Sequence, residues 1–477
     1  MNTLTIVNDL PDESSAYDHD SPGPRPRGAE PGRSEPRASL SGFMAWARKR
    51  FHLVPALEKV PDGRCAERVQ IPLPAVLLAV LLMFWLGLPS IRALEDRLNT
   101  SAGLRRVASL AGWGGGISDD TFEDALERLG LDGLRDAFHC LAKRELKRWR
   151  AGRFRQSELA VRLSEINKIG CASLVVRALV GIDGHELFRA ERRSCPICLT
   201  RKVRKARDGE TVEVQEHYHR VVVAQWLGTH PAIVFDFEEQ RPGENELAPA
   251  LRLIQRLARV YGLEIGTIVA DAFYDVEPFR QAVQKAGYHW LIRQKDQRRG
   301  TWMLLKRRID ARDPERQVPQ QCHRDPYKRQ RYDCWYEAEC PGSISRRYVE
   351  FRRTDASVNC RPPELHTGAC VTDLPAKDAP AVAVAMMMQA RWGEENTGFH
   401  ELAGEWNLDR AFVHAGRPTA ASAIVALGLM AYNAMQAFVY RYLRLDPWKP
   451  RRTIGDIKRD LFETLVLFSR RAMARAP

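Results

Sequence analysis

The sequence predicts a mixed α/β protein, and three observations carry that prediction. Apolar, β-branched runs alternate with amphipathic helical ones between about Ser173 and Lys295. Helical periodicity fills the stretch from Phe43 to about Arg150. A strand-like, cysteine-bearing stretch from about Gln297 to Ala376 then separates this α/β pattern from two further apolar helices.

Composition sets the outer bounds. At 477 residues, 44% hydrophobic and 28% charged, the chain is of globular type and long enough for two to four domains. Lysine and arginine number 73 against 60 acids, a net charge of +13. That excess favours a polyanionic partner, nucleic acid before a membrane surface, and says nothing about fold. The 10 cysteines include one close pair, Cys195 and Cys198, which reads as a reduced, cytoplasmic protein rather than a disulfide framework. The acidic, polar start "MNTLTIVNDLPDESSAYDHD" does not read as a signal peptide.

Residues 1–40, rich in Pro, Ser, Gly and Arg, are expected to be a disordered tail. In 41–150, Ile71 to Leu88 carries no charge and as one helix would reach about 27 Å. Pro72 and Pro74 open it and Gly87 and Pro89 close it, so a buried core helix is expected and no membrane span. "SDDTFEDALERLG" offers Ser118 or Asp119 as an N-cap, and the helices after it fit a helix-turn-helix or a bundle core equally well. Strands are expected over "SLVVRALVGID", ending on Asp183, over "HYHRVVVAQWLG", "HPAIVFDFEE" and "IGTIVAD", ending on Asp271, and over "YHWLIRQK". Helices are expected over "NELAPALRLIQRLARVYG" and "VEPFRQAVQKAG". After the β-rich stretch come a long helix ending in "RWGEEN" and a strongly apolar one near Ala420 to Leu443. Asn433, Gln436 and Arg441 mark that second helix as core rather than membrane. From Pro447 the chain is basic and expected to be peripheral.

Asp183 and Asp271 each close a β-rich run, and strand ends are where open α/β sheets handle ligands. Asp275 competes with Asp271, since "DAFYD" also suits a helix start. Two converging carboxylates repel unless a cation joins them, and oxygen ligands suit Mg²⁺ or Mn²⁺. In "RWGEENTGFHEL", Arg391 and Glu395 are one helical turn apart while Glu394 is rotated away; an exposed ion pair is the plain alternative.

Taken together and in order, "GIDGHELF", "IVADAFYD" and "RWGEEN" resemble the three acidic segments of the DDE transposases of bacterial insertion sequences. The nearest group carries a tyrosine-x2-arginine-x3-glutamate-x6-lysine signature and a β-rich insert before it. The resemblance spans roughly residues 173 to 440. It aligns the signature arginine with Arg391 and the glutamate with Glu395, while Met388 and Leu402 stand where tyrosine and lysine are expected. It implies a ribonuclease-H-like mixed-sheet catalytic core with a β-rich insertion and an all-α N-terminal domain. It also implies a catalytic site of Asp183, Asp271 and Glu395 holding two Mg²⁺ (or Mn²⁺) ions about 3.5–4 Å apart. The implied domains are 41–150, binding DNA ends; 151–296 and 377–446, the two parts of the core; 297–376, the insertion; and 447–477, a basic tail. The implied partners are double-stranded DNA, as terminal inverted repeats and target, and a second copy of the chain as a homodimer in the DNA complex. With Met388 and Leu402 in the signature positions, Arg391, Lys295 and His400 are the candidates for gripping DNA phosphates.

A second constellation lies in the same region. Cys195 and Cys198 have the spacing of a zinc knuckle, and His217 and His219 fall on one face of an expected strand. They make a candidate Cys2His2 structural Zn²⁺ site, weighed against two surface histidines. The intervening "LTRKVRKARDGE" reads as a basic hairpin, either a solvated charge run or a contact for DNA phosphates. Against the transposase reading stand two others: a catalytically inactive DNA-binding regulator and a metal-dependent nuclease without strand transfer.

Overall fold

The computed structural model describes residues 37–150, 177–191, 195–207, 209–294, 300–312, 318–325, 330–337, 346–355, 364–393, 400–410, 412, 416–445 and 452–467. Residues 1–36 of the expected tail and residues 151–176 therefore lie outside the described residues, while Ala38 and Leu40, at the end of that tail, are buried. In chain order the helices are α1 (Leu40–Trp46), α2 (Leu53–Leu57), α3 (Leu73–Trp85), α4 (Ile91–Thr100), α5 (Ala102–Ala108), α6 (Asp119–Arg128) and α7 (Leu131–Arg150). The α/β part follows: β1 (Ala178–Ala190), β2 (Leu199–Arg207), β3 (Glu210–Trp226), β4 (Val234–Glu239), α8 (Leu247–Tyr261), β5 (Ile265–Ala270), α9 (Glu277–Lys285) and β6 (His289–Gln294). Then come α10 (Gly300–Arg312), β7 (Gln321–Asp325), β8 (Gln330–Glu337), β9 (Arg347–Asp355), β10 (Glu364–Thr372), α11 (Ala381–Gly393), α12 (His400–Gly404), α13 (Pro418–Ala437) and α14 (Ile454–Glu463).

The chain divides into two compact units. One holds Met1–Arg33, Gln156–Gly181 and Leu263–Trp392; the other holds Ser34–Arg155, Ile182–Gly262 and Gly393–Pro477. The boundary at Gly181 falls inside β1.

In the first unit the strand order is β1-β5-β6-β10-β9-β8-β7. β5 and β6 are parallel, Thr267 opposite His289 through Ala270 opposite Ile292. β10 then runs antiparallel to β6, and the pairs β10/β9, β9/β8 and β8/β7 are antiparallel too. The sheet is therefore mixed. The β-rich stretch is not a detached body: β10 joins its strands to β6 edge to edge. It also opens with a helix, α10, where helical signals fade in the sequence. That helix bunches its apolar residues in one run, Trp302 to Leu305, before a basic half, so no apolar stripe at helical spacing can be read.

The second unit combines helices with β2-β3-β1 and with β4, which pairs β3 from Val221 opposite Glu239 onward. Its core draws on α1–α7, β3, β4, α13 and α14 together, so residues 40–150 share a core with chain far downstream. Local chemistry starts and stops these elements where the sequence suggests. Ser118 caps α6, its hydroxyl accepting the Thr121 amide, with Asp119 and Asp120 in the first turn. α3 begins at Pro72, and Gly87, at φ 66°, closes it in the left-handed conformation with Leu88 N–H on Met83 O. Its 13 residues span about 20 Å and are buried almost throughout.

α13 is long and apolar enough to cross a membrane by length and composition, but it is buried along its length against α3, α6, α7 and β4. Ser422, Tyr432, Asn433 and Gln436 are all engaged within the unit. Asn433 accepts from Val234 N–H at 2.8 Å and donates to Val234 O at 2.8 Å, substituting for a neighbouring strand at the end of β4. Gln225 Nε2 donates to Tyr432 Oη at 3.0 Å, and Ser422 Oγ donates to Glu239 at 2.7 Å.

A buried ion-pair network ties the sheet to the helices. Asp236, wholly buried on β4, meets Arg256 of α8 at 2.5 Å and His139 of α7 at 3.1 Å. Neighbouring Glu238 takes Arg256, Arg252 and Arg135. Burial acts to raise the Asp236 pKa, and the His139 and Arg256 charges outweigh it, leaving the carboxyl below its ordinary value.

Of the C-terminal stretch expected to be peripheral, residues 452–467 are described, and Ile457, Leu461 and Leu465 belong to the apolar core of the second unit. α14 is capped by a Thr453–Asp456 capping box, and its Asp460 accepts the backbone amide of Ala38 at 2.9 Å. Buried polar partners from the two ends of the chain hold it, which no local pattern reveals.

Replacing Asn433 with alanine strands both Val234 backbone groups in an apolar environment. The expected loss is about 2–4 kcal/mol of stability, read as a fall in the urea midpoint with an unchanged slope.

Candidate functional site

β5 ends at Ala270, and Asp271 follows as the N-cap of the 3-10 turn Ala272–Tyr274, accepting the Phe273 amide at 2.7 Å. It is half-buried. Its competitor, Asp275, is buried and spent on the fold, paired with Arg280 and accepting from Gln294 Nε2 at 2.8 Å. Arg280 also binds Glu277 at 2.9 Å. Of the two aspartates, Asp271 is the one left at the mouth of the strand.

Asp183 does not end its strand. β1 runs on through Gly184 to Ala190, so Asp183 sits mid-strand, half-buried, with Oδ1 accepting the Gly184 amide at 2.9 Å. The polar continuation "GHELFRA" carries no clear strand-like alternation, so the sequence does not show the strand running on. Within it, Glu186 binds Arg201 at 2.7 Å. β1 is the neighbour of β5 in strand order.

Glu394, Glu395 and Lys295 lie outside the described residues. Of His400 only the backbone is described, at the start of α12. Arg391 is buried, with 1% of its surface exposed, so it does not form an open phosphate surface. Met388, in the tyrosine position, is buried too, and Leu402, in the lysine position, belongs to the apolar core of the second unit.

Two groups escaped the sequence reading. His185 lies two residues beyond Asp183 on the same strand face. Burial pushes its pKa down to about 4, against the pull of Asp409 and Glu186. Strand alternation from Asp183 was the signal that pointed to it. The second group surrounds Glu401, one residue from the lysine position. Its carboxylate accepts from Trp406 Nε1 at 3.2 Å and from Gln436 Nε2 at 3.2 Å. Burial raises its pKa to about 7. Lys458 of α14 lies over the Trp406 ring at 4.5 Å, and burial lowers its pKa to about 8. No spacing rule joins residues 401 and 458.

The Cys/His constellation is assembled in part. Cys195, Cys198 and His219 come together and are all buried, with Cys195 Sγ 3.5 Å from Cys198 Sγ and 3.1 Å from His219 Nε2. His217 is buried on the same strand but stands outside this cluster. The basic hairpin exists as β2–β3, Leu199 opposite Tyr218 through Arg207 opposite Glu210, with Gly209 at φ 85° in its turn. Its cations are largely committed. Arg201 binds Glu186 and Glu216, Lys202 binds Glu213, and Lys205 binds Glu191 and Glu216.

Residues 206–434 match the family model described as the transposase DDE domain. That match supports a DDE transposase, and with the mixed sheet it is consistent with a ribonuclease-H-like core. The matched span includes Asp271 and Glu395; Asp183, Cys195 and Cys198 precede it. No curated protein matches the chain.

Glu401 gives a pH signature. Its carboxyl ionises near 4.5 when unfolded and near 7 when folded. Its contribution to stability is therefore full below about pH 4.5 and is lost as pH rises through about 7. Glu401→Gln, which mimics the protonated form, is expected to gain on wild type by roughly 2–3 kcal/mol between pH 4.5 and pH 8. Urea unfolding of both proteins at the two pH values measures it.

Proposed function

We propose that this protein is a DNA transposase that cleaves DNA at the ends of an insertion sequence and joins the freed 3′ ends to target DNA, with Asp183, Asp271 and Glu395 as its catalytic acids. The family-model match over residues 206–434 carries the reading. The commitment of Asp275 to Arg280 supports the choice of Asp271 over Asp275, and Asp183 rests on the order of the acidic segments in the sequence. Glu395 rests on its register with Arg391 in the sequence.

The donor set fits a hard divalent cation. Asp183 and Asp271 are half-buried carboxylates, each oriented by a backbone N–H on one oxygen, and carboxylate oxygens suit Mg²⁺ or Mn²⁺. When bound, two such ions would supply Lewis-acid activation of the attacking oxygen and charge neutralisation at the leaving oxygen. The protein's own part is positioning. The Gly184 and Phe273 amides hold Asp183 and Asp271 in fixed orientations, so that little reorganisation is needed at reaction.

In this reading the helical residues 41–150 recognise the terminal inverted repeats, Lys295 and His400 contact phosphates, and two chains act as a homodimer on DNA in the cytoplasm. The burial of Arg391 favours a role in orienting the end of α11, next to Glu395, over a phosphate contact.

The test is cleavage and strand transfer in Mg²⁺ on duplexes carrying the inverted repeats that flank the gene. Asp183→Asn, Asp271→Asn and Glu395→Gln should each lower both reactions on the order of a thousandfold while leaving gel-shift affinity intact. An acid variant that still cuts and joins would sink the assignment. Cleavage without joining by the intact protein would favour the nuclease reading, and binding without either reaction the regulator.

A further inference from the structure

The Cys/His cluster is independent of the proposed catalytic acids and of the transposase reading. Among the described residues, Cys195, Cys198 and His219 are the one group of potential metal ligands whose donor atoms all lie within 4.8 Å of one another. The chain builds it from two local devices. Cys195 and Cys198 flank a tight turn in which Cys198 N–H points to Cys195 O at 3.4 Å. The β2–β3 register that sets Leu199 opposite Tyr218 then carries His219 opposite Cys198.

The spacing is wrong for a disulfide and right for a shared ion. The sulfurs are 3.5 Å apart, against about 2.05 Å in an S–S bond. In a tetrahedral zinc site, Zn–S bonds of about 2.3 Å and Zn–N bonds of about 2.05 Å set S···S near 3.8 Å and S···N near 3.6 Å. The observed 3.5 and 3.1 Å lie a few tenths inside those edges. Two thiols and an imidazole, all buried, select a borderline-soft ion with tetrahedral preference over Mg²⁺ or Ca²⁺.

A fourth ligand is at hand. His217 lies two residues from His219 and so on the same face of β3. It is 9% exposed, and its Nδ1 is buried without a hydrogen-bond partner. A buried ring nitrogen left in that state costs energy that a metal bond would recover.

We propose that Cys195, Cys198 and His219 bind a structural zinc ion, with His217 turning in as the fourth ligand. The ion fastens the base of the β2–β3 hairpin. Binding converts two thiols to thiolates and releases two protons to solvent, with no change of oxidation state.

The full-length protein, purified without chelators, tests this through its zinc content and through Co²⁺ substitution after zinc removal. About one zinc per chain is expected, with the thiolate-to-cobalt charge-transfer and strong d–d absorption of a tetrahedral site. Cys198→Ser should abolish that spectrum, and His217→Asn should weaken Co²⁺ affinity at least about tenfold. Because Cys198→Ser alters a buried site, a second readout uses wild type alone. Removing zinc by chelation should open tryptic sites within Arg201–Arg207, and adding Zn²⁺ back should close them. Substoichiometric zinc with no tetrahedral cobalt spectrum would overturn the site and leave a thiol–imidazole hydrogen bond in its place. Unchanged Co²⁺ affinity in His217→Asn would overturn the fourth ligand.

Discussion

The second unit depends on how one apolar helix is held. α13 is apolar on every side, and such a surface alone specifies little, because sliding or rotating it by a residue exchanges one apolar contact for another. The Asn433 side chain removes that freedom. Its amide closes two hydrogen bonds on the Val234 backbone, so the helix has one register against β4 at which no buried backbone group is stranded. Tyr432 on Gln225 and Ser422 on Glu239 repeat the constraint along the helix, and the Ala420 amide on Glu127 extends it to α6. Once α13 is placed, α3, α6 and α7 have a fixed surface to pack on. The features that distinguish this helix from a membrane span are thus the same ones that set its register.

Charge shows a related economy. A net charge of +13 reads as a nucleic-acid footprint, yet many of the cations are turned inward. Arg280, Arg347, Arg391, Arg441 and Lys458 are all largely buried. Arg135, Arg252 and Arg256 are gathered on the Asp236–Glu238 carboxylates of β4. Even the basic hairpin is internally compensated, Arg201 and Lys205 sharing Glu216 across the strands. Each such pair consumes an acid as well as a base, so the +13 excess is carried by the remaining cations, and its location must be sought residue by residue among exposed ones such as Arg204.

What the sequence made legible follows from local physics. Strand β5 with Asp271 at its end, the Ser118 cap, the hairpin and the two buried apolar helices all declare themselves through periodicity, capping chemistry or turn residues. The rest depends on distant partners. β1 continues past Asp183 through a polar run whose Glu186 is balanced by Arg201. α14 is held by Asp460 reaching Ala38, at the other end of the chain. α10 has almost no apolar stripe, and β10 pairs with β6 across a long intervening stretch. The cysteine pair was visible from spacing, but which histidine meets it is decided by strand register and rotamer. The Glu401–Lys458 cluster left no local trace at all.

The departure at Leu402 then has a packing explanation. Leu402 is 1% exposed and part of the apolar core. A lysine there would have to bring its ammonium into that core, at a cost of several kcal/mol unless it were paired. The ionisable group stands one residue earlier instead. Glu401 is largely buried and accepts hydrogen bonds from Trp406 and Gln436, and burial raises its pKa to about 7. A helix that buries residue 402 cannot also present it to a phosphate. The burial of residue 402 is thus a consequence of how α12 docks, and any cation that meets an anionic partner must be drawn from other positions.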